Sequence, residues 1–249
     1  MEFERVLAVR TNKTIYRDGE RAVKVFGDGF KESDILNEAL NHARAEETGL
    51  PVPALLEVCK IEGKWAIITQ FIAGKTLARR MDEEPARREE FLERFVSLQL
   101  EVQGKRSPLM NRLHDKMYRK ITEAELTDAT KFELHKRLST LPARASVCHG
   151  DFNPSNIILT DDDRAYILDW SHVTQGTGAA DAARTFLLFS LENKPDLAER
   201  YLSLYCKKAG VQRADVQRWI PIVAASQSVK GRPEERELLL RWADVAEYQ

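Results

Sequence analysis

The sequence has few cysteines and almost no excess charge. Three cysteines occur among 249 residues, and this odd number lacks the spacing of a metal-binding motif. The scarcity argues against a disulfide scaffold and favours a reducing, cytoplasmic compartment. The formal net charge of -1 provides no positive field for nucleic acid or an anionic membrane. We therefore expect no nucleic-acid partner and no membrane-surface partner.

Long apolar runs are also missing from the sequence. No stretch approaches the roughly 20 consecutive apolar residues that a transmembrane helix needs. The opening residues MEFERVLAVR show no signal-peptide pattern, so we expect a cytoplasmic protein with no membrane partner. With 43% hydrophobic and 31% charged residues, the composition is that of a globular protein with a sizeable core. The sequence carries no signal for a particular oligomeric state.

The most informative segment is VCHGDFNPSNIIL, residues 147–159, followed by AYILDW, residues 165–170. The residues TDDDR between them, 160–164, are typical of a hairpin turn that joins two short strands. In such a hairpin, Asn156 enters the first strand where Asp169 leaves the second, so both side chains can reach one point. Carboxylate and amide oxygens at one point suit Mg²⁺ bound together with phosphates.

These motifs resemble those of the aminoglycoside phosphotransferase and choline kinase group of small-molecule kinases. HGDFNPSN stands where protein kinases have H-R-D-x-x-x-x-N, and LDW stands where they have D-F-G. The resemblance implies an α+β, protein-kinase-like fold with two lobes. The N-lobe, expected over residues 1–72, would hold a small antiparallel sheet with one helix and bind the nucleotide. The C-lobe, expected over 73–249, would be mostly helical and carry the catalytic loop and the acceptor site.

The resemblance also implies an activity and its residues. An ATP-dependent phosphotransferase of this kind moves the γ-phosphoryl group to a hydroxyl of a small molecule, such as an aminoglycoside, choline or a sugar. Asp151 would be the base that accepts or orients the acceptor hydroxyl, while Asn156 and Asp169 would hold Mg²⁺ between the β- and γ-phosphates. Asp181, which follows two alanines, would brace the catalytic loop.

Further nucleotide-binding residues are assigned in the first lobe. Residues 1–26 are predicted to form three strands, and Lys24 lies in the apolar run AVKVF. Such a lysine is either at a sheet edge or held by a partner; the resemblance to the kinase Val-Ala-Ile-Lys strand favours a phosphate-binding lysine. Glu38, on a helix predicted over 32–47, best matches the position of its partner acid. The other acids considered for this role are Glu32, Glu46 and Glu47.

Glycine is missing where a kinase usually has it. The turn after the first predicted strand, residues 10–13, reads RTNK, whereas kinases fold a glycine-rich loop over the phosphates. By resemblance, the backbone of Gln70, Phe71 and Ile72 would contact adenine. Beyond Asp181, apolar periodicity predicts a series of helices. Their expected ranges are 184–190, 195–208, 212–229 and 233–247.

Two alternatives remain open at this point. A protein kinase is disfavoured by HGD in place of HRD, by DW in place of DFG, and by the twelve-residue step from Asp169 to Asp181. An inactive nucleotide-binding or scaffold protein is supported by the glycine-less turn. Against it, the base and both metal-binding side chains are all present in the sequence.

Overall fold

The computed structural model describes residues 3–10, 12–229 and 233–244. It confirms the α+β class, because antiparallel strands dominate the first part of the chain and helices dominate the rest. Within the described ranges, no helix is both long enough and apolar enough to cross a membrane. Thr11 of the glycine-less turn and residues 245–247 of the last predicted helix lie outside the described residues.

The strands are short, and each pairs with an antiparallel neighbour. Within the described residues they are β1 (Arg5–Arg10), β2 (Lys13–Asp18), β3 (Arg21–Phe26), β4 (Leu55–Ile61), β5 (Lys64–Gln70), β6 (Lys75–Thr76), β7 (Ser146–Cys148), β8 (Ile157–Leu159), β9 (Ala165–Ile167) and β10 (Thr174–Gly176).

The helices are concentrated after residue 76. Within the described residues they are α1 (Glu32–Glu46), α2 (Leu77–Glu83), α3 (Arg88–Gly104), α4 (Leu113–Glu123), α5 (Asp128–Thr140), α6 (Gly178–Leu191), α7 (Pro195–Ala209), α8 (Arg213–Gln217), α9 (Ile220–Ser228) and α10 (Pro233–Ala243). Short 3-10 turns occur at Pro85–Arg87, Pro154–Asn156 and Trp170–His172.

The chain divides into two compact units. The first contains the described residues through Arg88 together with Pro154–His172. The second contains Glu89–Asn153 and the described residues from Val173 onward. The sequence suggested a single division at residue 72. The observed division differs because β6 pairs with β8, and this pairing joins the β8–β9 hairpin to the first unit.

The first unit is organised around a five-stranded antiparallel sheet with the order β1-β2-β3-β5-β4. The turn between β2 and β3 has Asp18 opposite Arg21, and Gly19 adopts the positive φ of 59° that a tight hairpin needs. Helix α1 packs on one face of this sheet. The buried side chains at this contact are Phe26, Ile35, Ala39 and Ile67. Burial of their apolar surface fixes the helix over β3 and β5.

The predicted hairpin of the central motif also forms. Ile157 pairs with Ile167 and Leu159 with Ala165, so β8 and β9 run antiparallel. The Thr160 backbone N–H donates to the carbonyl oxygen of Arg164 at 2.9 Å and closes the turn. This pairing places Asn156, before β8, across from Leu168, after β9, and Asp169 is the next residue along the chain.

The second unit packs its helices around an aromatic cluster. The Phe95 ring contacts the rings of Phe152, Phe189 and Tyr201, with centroids 4.8, 5.8 and 5.8 Å away. All four side chains are almost completely buried. Because Phe152 belongs to the HGDFNPSN motif, this cluster anchors the loop directly after Asp151.

One predicted helix is wrong. The sequence suggested a continuous helix over 212–229, but the structure has α8 and α9, separated at Arg218 and Trp219. Pro221 lies in the first turn of α9, where its missing N–H is tolerated. Inside a continuous helix, the same proline would remove a backbone hydrogen bond and clash with the preceding turn.

Candidate functional site

The predicted lysine and its predicted acidic partner lie together in the first unit. Lys24 Nζ, on β3, is 2.6 Å from Glu38 Oε1, on α1. The register explains this contact: Lys24 pairs with Ile67, whose side chain packs against Ala39 in the sheet–helix cluster. Ala39 directly follows Glu38 in α1, so the helix that covers the sheet also carries the acid to the lysine.

The competing acids have other surroundings. Glu46 Oε2 accepts the backbone N–H of Leu55 at 3.0 Å, which ties the end of α1 to β4. Glu32 and Glu47 are exposed at the two ends of the helix. Of the four candidates, Glu38 is therefore the one that the structure places against Lys24.

Each carboxylate oxygen of Asp169 lies near a lysine ammonium group. Its Oδ1 accepts a hydrogen bond from Ser171 Oγ at 2.8 Å and lies 3.8 Å from Lys24 Nζ. Its Oδ2 lies 3.5 Å from Lys13 Nζ. Two lysines from neighbouring strands thus converge on the acid at the end of β9.

The backbone at Asp169 is strained. Its φ of 58° lies in the left-handed region, which residues other than glycine rarely adopt. The Trp170 indole N–H donates to the Ile167 carbonyl at 3.0 Å, and this buried contact helps hold the turn. Backbone strain that the surroundings maintain is common at functional sites.

Lys13, Lys24, Glu38 and Asp169 form an ion cluster, and within it the pKa values of Asp169 and Lys24 are shifted. Burial alone raises the pKa of Asp169, but Lys24 and Lys13 outweigh it and hold that pKa well below its usual range. Burial lowers the pKa of Lys24, but the charges of Asp169 and Glu38 outweigh it and raise that pKa. Asp169 is therefore an anion and Lys24 a cation at neutral pH.

Asn156 lies next to this acid along the hairpin. It ends a 3-10 turn before β8, and its carbonyl oxygen accepts the Leu168 N–H at 2.8 Å. Asp169 follows Leu168 directly. An amide and a carboxylate are oxygen donors that fit Mg²⁺, which in nucleotide sites uses one or two carboxylates plus phosphates. In the described part of the chain, no group of three or more His, Cys, Asp or Glu side chains could hold a metal ion.

The segment assigned to adenine follows β5 in the first unit. The backbone N–H groups of Gln70 and Phe71 donate to the carbonyl oxygens of Ala54 and Glu20 at 2.9 and 2.8 Å. Ile72 is buried. These two donors are engaged within the unit, so the segment is a fixed strand end.

Asp151 lies in the second unit, in a turn that glycine makes possible. Gly150 has a φ of 79°, and its N–H donates to Asp181 Oδ1 at 2.7 Å. The Asp151 N–H donates to His149 Nδ1 at 3.2 Å. On the carboxylate, Asn153 Nδ2 lies 3.4 Å from Oδ2, and a guanidinium nitrogen of Arg184 lies 4.0 Å from Oδ1. The Asp151 carboxylate is therefore oriented from two sides.

Asp181 is the centre of a buried hydrogen-bond network in the same unit. Besides Gly150, its carboxylate accepts from Gln99 Nε2 at 3.1 Å and from Gln103 Nε2 at 3.3 Å. The hydroxyl groups of Tyr201 and Tyr205 donate to these two amides at 2.6 and 2.8 Å. Thus three helices, α3, α6 and α7, hold the turn that carries Asp151, which is the bracing position that the sequence suggested for Asp181.

Sequence reasoning missed two cations. Lys13 was noticed only as part of the glycine-less turn, and Arg184 was not assigned. Strand periodicity indicates that Lys13 lies on the same face of the sheet as Lys24, because Lys13 is two residues before Ile15, the residue that pairs with Lys24. Helix periodicity indicates that Arg184 lies on the same side of α6 as Asp181, because it follows Asp181 by three residues.

Comparisons with known proteins agree with this geometry. The family model described as the phosphotransferase enzyme family matches residues 3–217. No curated protein sequence matches the chain. An aminoglycoside-3'-phosphotransferase of type VIII has a similar structure, with a TM-score of 0.67, 18% identity, and coverage of 89% of this chain and 93% of that one.

Two further structures are similar. A choline/ethanolamine kinase family protein from Mesorhizobium loti has a TM-score of 0.67 and 16% identity, covering 100% of this chain and 90% of its own. A thermostable variant of aminoglycoside phosphotransferase APH(4)-Ia, in a ternary complex with ADP and hygromycin B, has a TM-score of 0.67 and 14% identity, covering 96% and 91%. At these identities the structures show a shared fold, which confirms the predicted fold class.

The family model extends over most of the chain, from β1 to the end of α8; it covers the first unit almost completely, a large part of the second, and all the site residues described in this section. The predicted family is therefore confirmed: this chain belongs to the phosphotransferase enzyme family.

Proposed function

We propose that this protein transfers the γ-phosphoryl group of ATP to a hydroxyl group of a small molecule. The observation that carries the proposal is the ion cluster of the first unit, in which Lys24 is held by Glu38 and directed at Asp169. A lysine fixed in this way provides a positive charge for phosphate oxygens, and phosphoryl transfer depends mainly on positioning and charge neutralisation.

Asn156 and Asp169 would hold Mg²⁺, which neutralises charge on the β- and γ-phosphates when it is bound. The depressed pKa of Asp169 keeps its carboxylate ionised, as a metal ligand must be. Lys24 would contact the α- and β-phosphates, with Glu38 fixing its ammonium. The backbone of Gln70, Phe71 and Ile72 would contact adenine. Because the N–H groups of Gln70 and Phe71 already donate within the unit, the carbonyl oxygens of these two residues would make the contact.

Asp151 would serve as the base. The acceptor oxygen forms a bond to the γ-phosphorus while the proton of the acceptor hydroxyl passes to the Asp151 carboxylate. The bond between the γ-phosphorus and the oxygen that bridges to the β-phosphate breaks, which releases ADP. Asn153 and Arg184 orient this carboxylate, and Asp181 holds the turn before it. The experiment below tests the role of Asp151.

The acceptor is proposed only as a chemical class. The similar structures include an enzyme crystallised with ADP and the aminoglycoside hygromycin B, and a choline/ethanolamine kinase family protein. Aminoglycosides, choline and ethanolamine all carry hydroxyl groups, and this supports an alcohol acceptor of aminoglycoside, amino-alcohol or sugar type for this chain.

The test is ATP turnover with a panel of aminoglycosides, choline, ethanolamine and sugars, measured as ADP release and as phosphate on the acceptor. We expect turnover with at least one acceptor, and Asp151→Ala should lower kcat by about a hundredfold or more. Asp161→Ala, in the exposed turn between β8 and β9, is the control and should retain full activity. Nucleotide binding without transfer to any acceptor would contradict the proposal and favour an inactive nucleotide-binding protein.

A further inference from the structure

One cation of the ion cluster has no role in the proposed reaction. Lys13, at the start of β2, places its Nζ 3.5 Å from Asp169 Oδ2, and its side chain is 20% exposed. The contact lies wholly within the first unit. It joins residues far apart in the sequence, and it occupies the carboxylate oxygen that Lys24 and Ser171 do not contact.

The sheet register explains why Lys13 reaches this point. Ile15 pairs with Lys24 and Lys13 pairs with Phe26. Directly opposed residues project from the same face of a sheet, as do residues two apart on one strand. Phe26 packs against α1, so this is the face on which Glu38 also lies. Lys13 and Lys24 are therefore diagonal neighbours above the same acid.

Asn12, the residue before Lys13, is anchored by a glycine that follows β3. The Gly27 N–H donates to the carbonyl oxygen of Asn12 at 2.8 Å. A Cβ at Gly27 would lie only 3.1 Å from that oxygen, so the close approach favours glycine there. The Gly27 backbone thus fixes the position of Asn12, and Lys13 follows it directly.

We propose that Lys13 binds the terminal phosphate of ATP, supplying through a side chain the positive charge that backbone amides of a glycine-rich loop would otherwise supply. This inference rests on the proposed function. When Asp169 ligates a cation, Lys13 loses its carboxylate partner, and a partly buried ammonium needs another anion. A terminal phosphate provides one, with charge-assisted hydrogen bonds that are stronger than neutral ones. In the nucleotide-free protein, the ion pair with Asp169 holds the ammonium in place.

The inference predicts a selective effect on triphosphate binding. In calorimetric titrations with Mg²⁺ present, Lys13→Met should weaken ATP binding by about tenfold, while ADP binding changes by less than about threefold, because only ATP has the terminal phosphate. Lys13→Arg retains the charge and should keep most of the preference for ATP. Lys64→Met is the matched control, since Lys64 is an exposed lysine at the start of β5 in the same sheet.

The outcomes separate this inference from the proposed function. If the wild-type protein binds ATP and transfers phosphate, but Lys13→Met weakens ATP and ADP equally or has no more effect than Lys64→Met, the role of Lys13 is refuted and the proposed function stands. If the wild-type protein binds no nucleotide, both are refuted. Thermal unfolding of Lys13→Met close to that of Lys64→Met would show that any loss of binding is not a loss of folding.

Discussion

The two units hold Asp169 and Asp181 in place by different physical means. In the first unit, Asp169 is surrounded by lysine ammonium groups, and its side chain is 27% exposed. In the second unit, Asp181 is 3% exposed and contacts a backbone N–H and two neutral amides. Ionic contacts at a partly open acid can exchange for other ions, whereas buried neutral hydrogen bonds are costly to break.

This difference assigns different tasks to the two acids. Asp169 is suited to exchange partners in the proposed reaction, because its ionic contacts with Lys13 and Lys24 are made at 3.5 and 3.8 Å by long side chains rather than by backbone groups. Asp181 is suited to keep one arrangement, since every partner is held by a helix or by the Gly150 turn. The comparison therefore predicts that ligand-dependent properties follow Asp169 and that folding stability follows Asp181.

The largest effect is expected from breaking the buried network. Asp181→Ala leaves the Gly150 N–H without its acceptor and removes one of the two acceptors of each glutamine amide, so it should lower the free energy of unfolding by about 3 kcal/mol. It should also lower kcat, because the turn before Asp151 loses its anchor. Urea unfolding and steady-state kinetics measure the two effects.

Asp115→Ala is the control for this substitution. Asp115 is exposed in the first turn of α4, where loss of its charge should cost less than about 1 kcal/mol. Equal destabilisation by the two substitutions would contradict the bracing role of Asp181.

The comparison also shows how far the sequence could predict the molecule. The hairpin of β8 and β9 was predicted, because residues 160–164 form a short turn between two apolar segments. Local chemistry of this kind is readable along the chain. The pairing of β6 with β8 was not predicted, since it joins segments about eighty residues apart and leaves no local pattern.

The same distinction applies to the candidate site. Motif spacing and the family resemblance identified Lys24, Glu38 and Asp169, which the structure brings together. Lys13 could not be assigned from the turn sequence, because its place beside Lys24 depends on the register of β2 against β3. Only the three-dimensional contact shows that its ammonium reaches an acid at the end of a distant strand.

A medium effect is expected from the pH dependence of the ionic cluster. Lys24 and Lys13 hold the pKa of Asp169 below its unfolded value of about 3.9, so its ionised form stabilises the fold. That contribution is complete above the unfolded pKa and is lost as the pH falls through the folded pKa. Asp169→Asn should therefore flatten the loss of unfolding free energy below about pH 5.

Urea unfolding between about pH 3 and pH 7 measures this slope. Asp161→Asn, at an exposed turn position of the same hairpin, is the control and should leave the slope close to that of the wild type. An unchanged slope in Asp169→Asn would show that the lysines do not stabilise the folded protein through this carboxylate.

The smallest effect is expected from the outer edge of the buried network. Tyr205→Phe removes only the hydroxyl that donates to Gln103 Oε1 at 2.8 Å, and its cost should be about 1 kcal/mol of unfolding free energy. Since Gln103 retains its contact with Asp181, kcat should stay within about twofold of the wild type. Tyr118→Phe makes the same chemical change on the exposed face of α4 and should be almost neutral. If Tyr205→Phe lowers kcat without a matching loss of stability, the network influences catalysis by more than holding Asp181 in place. The contrast between a fixed buried network and an exchangeable ion cluster would then be wrong.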